Sequence, residues 1–396
     1  MSRQIHVDVL LKGESDLDYS TSNEVVKAVL NDMRPIGTDT IFLSDIKMSD
    51  VWNSISSTDV ALDIRTIKLA ADDNTEITSN SSFVVHSYQL FDNVESDLVD
   101  LLEDEDDDDG INKEKSASVL ELPNGQLEGL WDTLHFDYNI KDKLLNYINT
   151  TIKFSTRNID QKLISWNRII LLHGPPGTGK TSLAKALAHN LSIRLNETYA
   201  QGRLVEINAH SLFSKWFSES GKLVQAMFDS INKLAEDDSV FVTLLIDEVE
   251  SLTAARQASL SGNEPSDALR VVNALLTQID KLKQRKNVLI IATSNLTNAI
   301  DDAFMDRADI KQYIGNPSTK AIEKVLNGCL NELVIKGLIS NDESPVDIIA
   351  AVAKTHEASG RFLRKLPLLA YTHAQEDLPT RRGIIDSMKV CIEENK

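Results

Sequence analysis

One stretch of the chain decides the fold: it reads Gly174-Pro175-Pro176-Gly177-Thr178-Gly179-Lys180-Thr181 and directly follows the apolar run RIILLH at 168–173. It satisfies the pattern G-x-x-x-x-G-K-S/T between a predicted strand and a predicted helix that begins at Lys180. Glycines let successive backbone N–H groups turn toward phosphate oxygens, and the positive end of the new helix faces them. We therefore predict a triphosphate cradle in which Lys180 neutralises the β- and γ-phosphates and Thr181 holds Mg²⁺.

Strand and helix patterns alternate after this loop. Apolar runs at 203–208, 240–246 and 287–294 are separated by helical patterns that begin at Gly221 and Asp267. Near-continuous apolar strands spaced by helices are typical of a parallel sheet that is buried on both faces. We therefore predict an α/β nucleotide-binding domain over 125–316.

The pattern becomes helical after Asn316-Pro317 and stays so to the end. Ser318 or Thr319 is the expected N-cap of the first helix, and further helices are expected near 345–355, 360–374 and 380–394. The sequence thus predicts a helical lid domain over 317–396.

Two acidic residues follow the apolar run VFVTLLI, at the carboxyl end of a predicted strand. Ligands in such sheets bind at this end, so we expect Asp247 to hold Mg²⁺ and Glu248 to polarise the water that attacks the γ-phosphate. Glu250, two residues further, is interpreted as a loop or interface residue. The next strand ends in Thr293-Ser294-Asn295, and Asn295 is the residue we expect to align the attacking water.

The first 100 residues have a different organisation. IHVDVLL, TIFLSDI, VALDIRTIKLA and SFVVHSYQLF have strand-like patterns, and Ser22 to Met33 is a predicted helix capped by Ser22. His6 and His86 lie in strand-like stretches and are expected to be packed or edge residues rather than ligands. We predict a small α+β domain over 1–100 that serves as a binding module.

An acidic run separates the two halves. Glu103, Asp104, Glu105 and Asp106 to Asp109 are consecutive acids, and such a run repels itself and resists packing. We predict an acidic linker over 101–124.

Charge and cysteine content exclude several classes of protein. With 41 basic and 60 acidic side chains, the net charge of −19 disfavours direct binding to nucleic acid or to an anionic membrane. The first residues become charged too soon for a signal peptide, and no apolar run reaches the length of about 18 residues that a membrane span needs. Cys329 and Cys391 cannot form a disulfide framework, which fits a nuclear or cytosolic compartment.

The ordered set GPPGTGKT, LLIDEVE and IATSN, followed by a helical lid, resembles the AAA+ ATPases over about 125–396. More narrowly, LEGLWDTLHFD at 127–137, SLFSKWFSESGKLV at 211–224 and SGRFLRKLP at 359–367 resemble the pachytene checkpoint protein 2, or thyroid receptor interacting protein 13, family. The resemblance implies an AAA+ P-loop parallel sheet with a C-terminal helical lid, preceded by the small α+β domain. It also implies that ATP and Mg²⁺ are the ligands.

The resemblance assigns further residues by position. Leu130 and Trp131 correspond to the segment that passes the adenine pocket, although an aromatic before a helix is equally often a packing contact. Trp216 and Phe217 correspond to a pore loop that grips an extended polypeptide. The polar stretch 253–267 corresponds to a second pore loop, for which an ordinary surface loop is nearly as good an explanation.

Three arginines take roles from the same resemblance. Arg307 corresponds to the arginine finger that acts in the neighbouring subunit, but its acidic neighbours Asp306 and Asp309 also fit a local salt bridge. Arg361 corresponds to the lid sensor that touches the γ-phosphate, and Arg364, one turn on, is its rival.

Members of this family are homohexameric remodellers that use ATP to open closed HORMA-domain proteins, with a HORMA adaptor. The resemblance therefore implies a HORMA client, roles in spindle checkpoint and meiotic chromosome-axis control, and presence in nucleus and cytoplasm, with chromosomes or kinetochores reached through partners. Two alternatives stay open: a nucleic-acid motor or clamp-loader-type ATPase, and a regulatory scaffold that only binds ATP.

Overall fold

The computed structural model describes residues 4–33, 40–42, 48–56, 58–70, 76–79, 81–93, 95–97, 117–137, 139–209, 220–252, 267–296, 300, 302–340, 342, 344–355, 357–374 and 378–394. The chain divides into two compact units. The first comprises Met1–Val94, Glu121–Glu128 and His189–Gly202, and the second comprises Glu95–Leu120, Gly129–Ala188 and Arg203–Lys396.

The first unit is a small α+β domain, as predicted. Its described strands and α-helices are β1 Gln4–Leu11, α1 Tyr19–Asp32, β2 Thr40–Phe42, α2 Met48–Ile55, β3 Ile64–Ala70, β4 Glu76–Thr78 and β5 Ser82–Tyr88. The central strand β1 pairs antiparallel with β3 and parallel with β5, and β2 pairs antiparallel with β4. Alternate residues of β1 point into one core, in which Val7 and Val9 are completely buried.

Two sequence predictions in this unit meet different outcomes. The prediction that Ser22 caps the helix is wrong, because α1 begins three residues earlier and Ser22 donates its backbone N–H to the carbonyl oxygen of Asp18. Ser22 is instead buried in the helix, with Ser87 Oγ donating to its hydroxyl at 2.9 Å. His6 and His86 lie on neighbouring strands and stack on each other with ring centroids 5.2 Å apart, in agreement with the prediction of packed histidines.

Most residues of a large sheet belong to the second unit. Seven described strands form this sheet in the order β12-β8-β11-β10-β9-β7-β6. They are β6 Ser96–Asp97, β7 Ser118–Leu122, β8 Ile169–His173, β9 Gln201–Asn208, β10 Val240–Asp247, β11 Val288–Ser294 and β12 Ile310–Tyr313. The strands β12, β8, β11 and β10 run parallel, so their carboxyl ends meet at one edge.

Both faces of this sheet are buried, as the continuous apolar strands predict. Ile169 and Leu171 of β8 belong to a core that also holds Phe228 and Leu275 from flanking helices. Ile170 and Leu172 point to the opposite face and are also completely buried. The α-helices with both ends in the described part of this region are α3 Leu130–Thr133, α4 Ile140–Thr156, α5 Lys180–Arg194, α6 Ser220–Leu234, α7 Asp267–Leu282 and α8 Asp302–Arg307.

The predicted linker over 101–124 is wrong in its last part. Residues 118–122 form strand β7 of the large sheet, with Val119 and Leu120 buried. Val119, Leu120 and Leu122 supply the buried apolar side chains of this strand, but the neighbouring acidic run conceals the short strand in the sequence. The acidic run itself lies outside the described residues.

The lid is helical, as predicted, and has a core of its own that includes Leu326, Leu363 and Met388. Its helices are α9 Thr319–Ile335, α10 Asp347–Thr355, α11 Gly360–Ala374 and α12 Arg381–Glu394. Ser318 caps α9, and its hydroxyl accepts a hydrogen bond from the N–H of Ala321 at 3.3 Å. Within the described part of the chain, no helix combines the length and apolar character that crossing a membrane requires.

Candidate functional site

The glycines of the loop between β8 and α5 have conformations that other residues rarely adopt. Gly174 has a φ of 143°, and a Cβ atom there would lie 2.1 Å from the carbonyl oxygen of Ile314. Gly177 and Gly179 have φ values of 75° and 95°. The loop can therefore turn back on itself before α5 begins, which is the geometry that a phosphate cradle needs.

Lys180, the first residue of α5, is buried beneath this loop. Its ammonium donates hydrogen bonds to the carbonyl oxygens of Gly174 at 2.9 Å and Pro175 at 2.8 Å. Burial lowers the pKa of Lys180, and the carboxylates of Glu250 and Asp247 act in the opposite direction. The ammonium is thus held in place before any phosphate arrives.

Thr181 and Asp247 meet at the floor of the site. Thr181 Oγ1 donates to Asp247 Oδ1 at 3.0 Å, and the hydroxyl of Thr293 donates to the same carboxylate oxygen. A hydroxyl and a carboxylate on adjoining elements are the hard oxygen ligands that Mg²⁺ prefers. The residues present therefore fit the predicted ion.

Glu248 lies at the point where the chain turns out of β10. Its φ of 61° is in the left-handed region, which non-glycine residues seldom occupy and which often marks functional sites. The backbone N–H of Val249 donates to the carbonyl oxygen of Thr293 at 3.0 Å, so the turn is tied to the neighbouring strand. This turn brings the Glu248 side chain to a cavity between the strand ends and the lid.

A cavity of about 300 Å³ brings together the sheet edge and the lid. It is lined by loop residues 177–182, by Asp247, Glu248 and Asn295 at the strand ends, and by Gly360, Arg361 and Arg364 of the lid. The lid contacts the loop directly, because the N–H of Arg361 donates to the carbonyl oxygen of Gly177 at 3.0 Å. Both arginines line the cavity, so the choice between Arg361 and Arg364 as the sensor stays open.

The residues predicted to pass the adenine pocket lie close in sequence to a segment that lines the cavity. Leu130 and Trp131 form the start of α3 and are absent from the described residues that line the cavity, whereas the segment from Thr133 to Phe136 lines it. Trp131 packs instead beneath the ammonium of Lys141, which lies 4.8 Å from the ring centroid. The role of Leu130 and Trp131 at the adenine stays a prediction.

His135 also lines the cavity, although no sequence pattern predicts it there. Burial lowers its pKa, and the cations Lys141, Lys324 and Arg364 lower it further. A neutral imidazole therefore faces the cavity at physiological pH. A histidine between Leu134 and Phe136 carries no recognisable motif, so only its position reveals it.

Arg307 lies outside the set of described residues that line the cavity. Its guanidinium makes a two-pronged salt bridge with Asp280, with Nε 3.1 Å from Oδ1 and Nη2 2.8 Å from Oδ2. A local salt bridge was one of the two expectations, but its partner is on α7 rather than among the flanking acids. Asp309, one of those acids, accepts the backbone N–H groups of Asn167 and Arg168 at 2.7 Å each.

Two sets of predicted residues lie outside the described part of the chain. They are the pore-loop residues Trp216 and Phe217 and nearly all of the second loop, 253–266. Asp267, the last residue of the predicted second loop, is the first residue of α7.

Comparisons with known proteins agree with this geometry. The family described as "ATPase family associated with various cellular activities (AAA)" matches residues 170–316. The chain is 44% identical over 414 residues to pachytene checkpoint protein 2 homolog of Xenopus tropicalis, covering 99% of this chain and 93% of the relative.

Solved structures give the same result. The structure of C. elegans PCH-2 covers 99% of both chains with a TM-score of 0.75 and 31% identity. A chain of the E. coli MS115-1 HORMA:CdnC:Trip13 complex covers 70% of this chain and 94% of its own length, with a TM-score of 0.51 and 19% identity. The second likeness shows a shared fold.

Proposed function

Because the chain is an ATPase that belongs to the pachytene checkpoint protein 2 family, we propose that it uses ATP hydrolysis to convert HORMA-domain proteins from a closed, partner-locked state to an open one. The observation that carries this proposal is the cavity in which Lys180 and Asp247 of the sheet domain face Arg361 of the lid. A nucleotide held by two domains can change their separation when it is hydrolysed. The solved complex of a Trip13 chain with a HORMA protein supports the client class.

Each residue of the site has a role in this reaction. The N–H groups of loop 174–181 and the Lys180 ammonium bind the phosphates of ATP. Thr181 and Asp247 would hold Mg²⁺, which would supply positive charge to offset the negative charge of the phosphates. Glu248 accepts a proton from the attacking water, and Asn295 aligns that water.

The proposed active unit is a homohexamer with ATP bound between subunits. Arg307 pairs with Asp280 and is not among the described residues that line the cavity of its own chain, and we propose that it acts in the neighbouring subunit's site. There its guanidinium would stabilise the charge of the transition state. Arg361 would contact the γ-phosphate and so relate its presence to the position of the lid.

The client is moved by loops in the central channel. In this proposal Trp216 and Phe217 grip an extended segment of the HORMA protein, and the stretch 253–267 forms a second ring of loops. Local unfolding of a protein segment costs on the order of a few kcal/mol, which a few hydrolysis events can supply. The function therefore needs repeated turnover rather than binding alone.

The first unit is proposed to bind the client or its HORMA adaptor. This assignment rests on its separate hydrophobic core and on the family resemblance. We further propose that the protein acts in nucleus and cytoplasm, in spindle checkpoint and meiotic chromosome-axis control. In this proposal it reaches chromosomes or kinetochores through its partners and does not contact nucleic acid itself.

Two variants test the proposal together. Glu248→Gln should bind ATP and assemble but lose nearly all turnover, because the base is absent. Trp216→Ala should keep ATPase activity but fail to open a closed HORMA protein, because the grip on the client is absent. Phosphate release and conversion of a closed HORMA protein to its open form are the two measurements.

Trp216→Phe is the matched control, since it keeps an aromatic side chain and should keep remodelling. Normal turnover by Glu248→Gln would refute the catalytic assignment. Full remodelling by Trp216→Ala would refute the pore assignment, and ATPase stimulation by DNA but not by a HORMA protein would favour the nucleic-acid alternative.

A further inference from the structure

Glu250 is fixed in the turn that follows β10. Val249, directly before it, and Leu252, two residues after it, are each only 1% exposed. The N–H of Val249 is bonded to the carbonyl oxygen of Thr293 on the neighbouring strand. The backbone at Glu250 therefore has little freedom, and its side chain reaches the carboxyl end of β11.

The contact that Glu250 makes there is with Asn295. One carboxylate oxygen, Oε1, accepts two hydrogen bonds from this residue, one from the backbone N–H at 3.2 Å and one from side-chain Nδ2 at 2.9 Å. The opposite amide orientation would place two acceptor oxygens 2.9 Å apart. The carboxylate therefore fixes the amide with Nδ2 toward Glu250.

This orientation determines what Asn295 offers to the cavity that it lines. Because Glu250 takes one of the two Nδ2 hydrogens, the amide is fixed so that its carbonyl oxygen Oδ1 and its second N–H are left for other partners. An amide oxygen accepts hydrogen bonds and cannot donate them to a phosphate oxygen. Its natural partner in an ATPase site is the water that attacks the γ-phosphate.

The second carboxylate oxygen of Glu250 argues against a purely stabilising role for this residue. Oε2 is buried, and no described residue donates a hydrogen bond to it. A buried carboxylate oxygen without a partner costs free energy, so a residue kept only for packing would be better replaced by an apolar side chain.

From these contacts we infer that Glu250 is a positioning residue of the ATPase site, which holds the Asn295 amide so that Oδ1 accepts a hydrogen bond from the attacking water. Glu248 takes one proton of that water and Asn295 fixes the other. The water oxygen then forms its bond to the γ-phosphorus as the bond to the bridging β–γ oxygen breaks, releasing ADP and phosphate. The inference rests on the proposed role of Asn295.

The test is a double-mutant cycle on the full-length protein with ATP. Glu250→Ala should lower kcat about 10- to 100-fold, the range seen when the partner of a catalytic group is removed. KM should change by less than about twofold, because Asn295 acts on water and not on bound nucleotide. Glu250→Gln should recover most of kcat, since its amide oxygen can still accept from Asn295 Nδ2.

The decisive measurement is the double variant. Asn295→Ala should lower kcat at least as much as Glu250→Ala, and combining the two should cost no more than Asn295→Ala alone, because Glu250 acts through Asn295. Glu206→Ala is the control, since it removes a carboxylate that pairs with Lys185 at 2.5 Å on the same domain. Glu206→Ala should leave kcat and KM for ATP unchanged. Thermal unfolding should show that all variants are folded.

Several results would overturn the inference. If kcat of the double variant fell by the product of the two single-variant losses, Glu250 would act independently of Asn295. A raised KM with unchanged kcat would make it a counter-ion of Lys180, and normal kcat in Glu250→Ala would leave it with no role in turnover. If Asn295→Ala itself were normal, the proposed role of Asn295 would fail first, which separates the two failures.

Discussion

Gly174 leaves the sheet at a point where its backbone has no room for a side chain. A Cβ atom there would lie 2.1 Å from the carbonyl oxygen of Ile314, and its φ of 143° is unfavourable for other residues. Gly337 shares a positive φ, 70°, but a Cβ there would meet nothing within 4 Å. The two glycines therefore separate the effect of backbone strain from that of a steric clash.

Gly174→Ala should abolish ATP binding, because β12 or the loop must move to admit the methyl group. Gly337→Ala should cost about 1–2 kcal/mol of stability from left-handed strain and keep ATP binding. Titration with a fluorescent ATP analogue and thermal unfolding provide the measurements. Equal ATP affinity in the two variants would contradict the steric explanation.

Side-chain hydrogen bonds in both directions join the carboxyl ends of β10 and β11. Thr293 of β11 donates to Asp247 of β10, and Glu250 after β10 accepts from Asn295 after β11. The strands run parallel from Val242 opposite Val288 to Ile246 opposite Ala292, so their polar ends are in register. The carboxylates and the amide that we propose for the ATPase reaction are thus positioned by paired strands rather than by the loops alone.

Thr293→Val should lower kcat/KM about 10- to 100-fold, because the carboxylate of Asp247 loses a donor that orients it toward the ion. Val has nearly the same shape, so the fold should be kept. Thr293→Ser retains the hydroxyl and should behave like the wild type. The measurement is ATPase activity as a function of Mg²⁺ concentration, and an unchanged Mg²⁺ dependence in Thr293→Val would count against this role.

At the scale of the whole molecule, the site of one chain is incomplete without Arg307 from another in the proposed hexamer. The salt bridge to Asp280 lowers the pKa of that carboxyl, chiefly through the hydrogen bonds from Arg307. The same bridge fixes the guanidinium on the α7–α8 side of the sheet domain, where it is about a quarter exposed, with 26% of its side-chain surface accessible.

Mixing two inactive variants tests this arrangement. Lys180→Ala and Arg307→Ala should each be nearly inactive alone, but a mixed ring contains some sites with an intact Lys180 and an intact neighbouring Arg307. Phosphate release should therefore recover in part after the subunits are mixed and exchanged. Full activity of Arg307→Ala alone, or no recovery on mixing, would show that Arg307 does not act between subunits.

The first unit carries a pH dependence of its own. Burial lowers the pKa of His86 to about 3 and that of His6 to about 4. Because these folded-state values lie below the ordinary 6.5, the unfolded chain binds protons first as the pH falls. The stability that the neutral pair contributes is complete above about pH 6.5 and is lost progressively as the pH falls toward about 3.

Amide protection of β1 and β5, corrected for intrinsic exchange, should fall between pH 7.5 and pH 5. Over this pH range, the lowered pKa of the almost fully buried His86 should reduce the free energy of unfolding by about 2 kcal/mol. His86→Asn removes the titrating group and should reduce this pH dependence, although it lowers stability at both pH values. An equal loss of protection in both proteins would contradict the assignment to the histidine pair.

Several features could be predicted because they depend on neighbours in the chain. Residues 174–181 form a contiguous motif, and Asp247 and Glu248 directly follow an apolar strand, so local spacing is sufficient to place them. The buried strands and the lid helices have periodic patterns that mirror their surroundings. For these the sequence by itself determined the fold class and the chemistry of phosphate binding.

Other features were decided only by the tertiary structure. Thr293, Glu250 and His135 carry no motif, and their roles come from strands and segments that the fold brings side by side. The same holds for the pairing of Arg307 with Asp280 and for β7, whose five residues form a strand only because the sheet supplies their partners. Hydrogen bonds and salt bridges act over a few ångströms in space, whereas sequence patterns report only distance along the chain.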